Sequence, residues 1–105
     1  MAENDEIERA GRTVIEAVPA PAKVILIGSY IGGDGEIRGD SDFLVIAREV
    51  PDRLGEKARL GKILGRLAIP AHVVVASEEE VQRDGSVMGT RIHEALNHGR
   101  VIAES

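Results

Sequence analysis

A chain of 105 residues with 43% apolar and 30% charged side chains carries enough apolar surface to fold but is too short for two cores, which sets aside disordered and multidomain organisations. A net charge of -5, with one Phe, one Tyr and no Trp, argues against long DNA or RNA as a partner, since such binding needs phosphate-neutralising cations and stacking platforms. The lack of cysteine excludes disulfides, thiol catalysis and Cys-ligated zinc, and an acidic N-terminus with no apolar run of membrane length predicts a cytoplasmic protein without membrane contact.

Between Asp5 and Val18 the apolar residues Ile7, Ala10, Val14, Ile15 and Val18 recur at helical spacing, predicting a first helix with one buried face. Pro19 and Pro21 end it. Lys23 to Ile27 is a short β-branched run that reads as a buried strand, closed by Gly28 and Ser29. Residues 30 to 39, with Gly32, Gly33, Gly35 and Gly39, read as a turn and loop. Phe43 to Ala47 is a second apolar strand.

Pro51 suits the first turn of a second helix, in which Leu54, Ala58, Leu64, Leu67 and Ala68 repeat at helical intervals, with an end near Ile69 and Pro70. Gly55, Gly61 and Gly65 weaken that segment. His72 to Ala76 predicts a third strand. Ser77 followed by Glu78, Glu79 and Glu80 is a helix-start signature, and the short helix it opens should end near Asp84 and Gly85. A last helix from Gly89 to His98, stopped by Gly99, precedes a short terminal strand from Arg100 to Ala103. The pattern predicts one α/β (α+β) domain over residues 1 to 105, a small mixed β-sheet covered on one face by helices. The link between the first two strands is too short for a helical crossover, so they need not be parallel neighbours.

The chemistry concentrates where Asp40, Ser41 and Asp42 open the second strand. Alternate side chains of a strand share a face, so Asp40 and Asp42 project together. Carboxylates this close repel each other unless a cation lies between them, and Mg²⁺ suits oxygen ligands supplemented by water and phosphate. Gly28 lets phosphate oxygens approach the backbone, and the Ser29 hydroxyl can donate to them.

The run Leu26-Ile27-Gly28-Ser29-Tyr30, followed by Gly39-Asp40-Ser41-Asp42-Phe43-Leu44-Val45, resembles the signature of the minimal nucleotidyltransferases of the DNA polymerase beta superfamily. More loosely the likeness extends from Lys23 to Glu104. It implies a nucleotidyltransferase (polymerase beta palm-like) fold. Asp40 and Asp42 would act as catalytic residues and as ligands of Mg²⁺ in a two-metal site, and Gly28 and Ser29 would hold the β- and γ-phosphates of a nucleoside triphosphate. The implied reaction is transfer of a nucleoside monophosphate, AMP from ATP, to a hydroxyl of a protein or small molecule. Small members are often encoded with a helical HEPN-type partner and act as its antitoxin. The chain departs from the family pattern at His72, which aligns with the usual third acidic ligand, and at Gly32, where relatives often carry an Arg that Arg38 could replace.

His72 is open to three readings: metal ligand, hydrogen-bonding residue, or relic of a lost carboxylate. Its presence leaves a second function standing beside catalysis, an inactive module of the same fold that binds and neutralises a partner protein. A third is a fragment-like catalytic subunit that works only within a larger assembly. The glycine cluster matches neither a P-loop nor a dinucleotide fingerprint. His93 and His98 fall on different faces of the last helix and read as structural or surface residues, and Glu78 to Glu80 read as a solvated helix start.

Overall fold

The computed structural model describes residues 2–28, 41–67 and 71–105. In chain order these form α1 (Ala2–Glu16), β1 (Ala22–Gly28), β2 (Ser41–Ala47), α2 (Arg53–Arg66), β3 (Ala71–Ser77), α3 (Glu78–Asp84), α4 (Arg91–His98) and β4 (Arg100–Glu104). The sheet is mixed, with strand order β3-β2-β1-β4. β1 pairs antiparallel with both β2 and β4, and β2 pairs parallel with β3. Each relationship follows from its connection: α2 supplies the crossover that a parallel pair requires, while the shorter β1–β2 link is compatible with an antiparallel one. The glycine-rich loop assigned from sequence lies outside the described residues.

The expectation of helices on one face only is corrected by the packing. On one face α1 and α2 cover Val24, Leu26, Phe43, Val45, Val73 and Val75. On the other, Ile92 and Ala95 of α4, with Val81 of α3, cover Ile25, Ile27, Leu44, Ile46 and Ala76. Consecutive residues of β1 and β2 are therefore buried on opposite faces, so these strands read as unbroken apolar runs instead of alternating ones.

α2 also differs from its sequence reading. Asp52 caps it, its carboxylate accepting from the Gly55 N–H at 3.0 Å, so Pro51 stands just outside the helix. The buried stripe is Leu60 and Leu64, flanked by Ile63 and Leu67, and Leu54 is 79% exposed. The remainder of the predicted turn, Ala68, Ile69 and Pro70, lies outside the described residues.

At the start of α3, Ser77 and Glu80 form a reciprocal capping box. The Glu80 carboxylate also accepts from Arg53 at the beginning of α2, whose guanidinium donates to the Val75 carbonyl at 2.7 Å. Glu80 is therefore more than a solvated first-turn acid: it joins both helices to β3. These contacts hold its carboxyl below the ordinary glutamate range, chiefly through the hydrogen bond from Arg53, with burial acting the other way and the Ser77 N–H adding to the lowering.

Candidate functional site

The antiparallel and parallel pairings bring the end of β1 and the starts of β2 and β3 to one end of the sheet. Gly28 lies opposite Ser41, and Asp42 lies opposite His72. In-register neighbours on adjacent strands point to the same face about 4.8 Å apart. Asp42 and His72 share their face with Leu44, Ile46 and Ala76, the side occupied by α3 and α4.

α4 contributes a residue that sequence reasoning missed. Arg91, its first residue, donates from Nη1 to Asp42 Oδ2 in an ion pair. The Asp42 side chain is 13% exposed and that of Arg91 57%, so a largely covered carboxylate faces a guanidinium reached by solvent. Arg91 is placed by the local chemistry of its turn. The Thr90 hydroxyl accepts from the His93 N–H at 3.1 Å and donates to the Val87 carbonyl at 2.8 Å. Gly89 just before it has φ of +90°, a left-handed conformation that favours glycine. Ile92 and Ala95 then bury the adjoining face of the helix. No local pattern marks a contact across 49 positions of sequence; the sequence shows only an arginine directly after a threonine, a residue type able to cap a helix.

His93 is structural, as its place in the sequence suggested: its Nδ1 lies 2.9 Å from the Gly85 carbonyl. A carbonyl can only accept, so the ring proton belongs on Nδ1. That bond joins α4 to the end of α3. His98 is exposed.

Of the residues assigned to the site from sequence, the structure brings Gly28, Asp42 and His72 to one edge. Asp40, Ser29 and Arg38 lie outside the described residues. Among the described residues no group of three or more His, Cys, Asp or Glu side chains is arranged to hold a metal ion. Mg²⁺ commonly takes one or two carboxylates and completes its octahedron with water and phosphate. Asp42 supplies hard oxygens, while the His72 imidazole suits softer metals better.

No family model, curated protein or solved structure matches the chain. A cleft of about 390 Å³ opens at the other end of the sheet, between Pro21, Lys23, Ile46, Val81, Leu96 and Glu104. Its lining also includes Glu78, and Glu104 is paired there with Lys23 at 4.0 Å; among the described residues no strand ends in glycine at this end. No described helix is long and apolar enough to cross a membrane.

Proposed function

We propose that this domain binds a magnesium–nucleoside triphosphate at the sheet end formed by Gly28, Asp42 and His72, and transfers the nucleoside monophosphate, AMP from ATP, to a hydroxyl of a protein or small molecule. The observation that supports this reading is the register: Gly28 ends β1 beside the start of β2, and Asp42 and His72 occupy one face of adjacent strands. An apolar strand that begins with a largely covered carboxylate beside a glycine offers hard oxygens for a cation and open backbone for phosphate. Asp40 and Ser29 enter this proposal through the sequence resemblance.

In the reaction the acceptor oxygen forms a bond to the α-phosphorus, the bridging oxygen to the β-phosphorus leaves with pyrophosphate, and the hydroxyl proton passes to solvent. Bound Mg²⁺ would supply charge neutralisation at the phosphates. Asp42 fixes the position at which that charge is held, and the Gly28 backbone leaves room for phosphate oxygens. His72, where the family pattern has an acid, contributes no negative charge to the site.

The test is calorimetric titration of ATP with and without Mg²⁺, on the native chain and on Asp42→Asn. Magnesium-dependent binding that the substitution abolishes supports the proposal; a folded native chain that binds under neither condition ends it.

The Asp42–Arg91 ion pair favours a second reading, in which the fold neutralises a partner by contact and the carboxylate is an internal charge partner. A helical protein of the HEPN type is the partner this reading takes. Replacing Asp40 and Asp42 together by Asn leaves neutralisation intact under this reading and removes it if nucleotide transfer is the mechanism.

A further inference from the structure

We infer that Arg91 guards Asp42: without nucleotide it neutralises the carboxylate, and when a metal–triphosphate enters it transfers to a phosphate oxygen, so that the site takes the metal together with its nucleotide in preference to the bare ion. The inference rests on the proposed nucleotide site and assigns Arg91 as a specificity-determining residue within it.

Three observations carry it. First, the Asp42 side chain is only 13% exposed, and a carboxylate with so little water around it needs a positive partner. Second, Arg91 provides that partner, so a divalent cation arriving alone at Asp42 must displace a positive charge or sit against it. Third, the Arg91 side chain is 57% exposed and stands on the first residue of α4, while Thr90, Ile92 and Ala95 hold that helix independently. The guanidinium can leave Asp42 without unseating the helix. Its planar fork matches phosphate oxygens as well as carboxylate oxygens. Metal and phosphate binding are then coupled: the phosphate draws off the arginine, and the freed carboxylate receives the metal, each raising the affinity for the other.

The experiment compares the native chain with Arg91→Gln and Arg91→Lys. It measures binding of Mn²⁺ alone by electron paramagnetic resonance and of Mg·ATP by calorimetry, with circular dichroism to verify folding. Arg91→Gln is expected to bind Mn²⁺ alone about two- to fivefold more tightly, on the scale of a solvent-accessible ion pair, and Mg·ATP more weakly by a similar factor. Arg91→Lys keeps the charge and should leave Mn²⁺ binding near the native level. In Asp42→Asn/Arg91→Gln the gain in Mn²⁺ affinity should vanish. If the native chain binds Mg·ATP but Arg91→Gln leaves both affinities unchanged, or weakens both, Arg91 is a fixed structural partner; the inference then falls while the nucleotide site stands. A native chain that does not bind Mg·ATP removes the site and the inference with it.

Discussion

Asp42 of β2 and His72 of β3 stand directly opposite each other in the parallel ladder, at the end of the sheet where both strands begin. An acid in place of His72 would put like charges side by side, which costs up to about 1 kcal/mol in a strand pair but gives a cation a second hard ligand. His72→Asp should therefore lower stability in metal-free buffer and recover it as Mg²⁺ is added. The readout is the thermal midpoint with and without millimolar Mg²⁺. A midpoint indifferent to Mg²⁺ in this variant means that position 72 does not face a cation site.

The Arg53–Glu80 contact gives the fold a specific sensitivity to acid. The Glu80 carboxyl is held below its ordinary range, chiefly by the Arg53 hydrogen bond. A depressed folded-state value means the unfolded chain takes up the proton first as pH falls. The associated stability is present above the unfolded-state value, roughly pH 4.3, and is lost as pH drops through the lower folded-state value. Glu80→Gln should be less stable than the native chain at neutral pH, with the gap closing below about pH 4. Urea denaturation at a series of pH values measures this, and a gap that stays constant into acid would assign the loss to the capping box instead of the charge.

Much of this architecture was legible because the strands are dense in Val, Ile and Leu and the breaks between elements carry Pro, Gly or a Ser cap. The continuous apolar runs of β1 and β2 also held the signal for burial on both faces, since strands packed on one side alternate. The α2 face was misread because its glycines and charged residues leave a narrow stripe at residues 60, 63, 64 and 67, and Leu54 falls off it. In the site, Asp42 and His72 were nameable from spacing and resemblance, and their adjacency follows from a parallel register that local sequence does not specify. Arg91 could not be found this way, because an ion pair between a strand start and a distant helix start depends on how α4 crosses the sheet.

The corrected α2 face makes a paired prediction. Leu60 is fully buried at 0% exposure, and truncating it to Ala removes buried methyl groups and leaves a cavity, costing about 2–5 kcal/mol. Leu54→Ala, on the exposed side of the same helix, should stay within about 0.5 kcal/mol of the native chain. Chemical denaturation of both variants checks the assignment, and comparable losses at the two positions would return Leu54 to the core.

Glycines of this chain divide in the same way, by what a methyl group would meet. At Gly61 an added Cβ has nothing within 4 Å, so Gly61→Ala should stabilise α2 by about 0.5–1 kcal/mol by removing unfolded-state freedom. At Gly99 the backbone is extended, with φ of -80°, and does not need glycine for its dihedral. The requirement is close approach: a Cβ there would lie 2.5 Å from the Ala95 carbonyl oxygen and 2.5 Å from Ile25 Cγ2. Gly99→Ala should therefore push the end of α4 off β1 and cost about 1–3 kcal/mol, the usual range for overpacking. Because α4 also carries Arg91, the displacement should change the affinity for Mg·ATP in the same variant, whereas Gly61→Ala should leave it unaltered. Thermal denaturation and calorimetry on the two alanine variants read both effects, and a Gly99→Ala protein as stable as the native chain would show that the sheet does not hold α4 at this point.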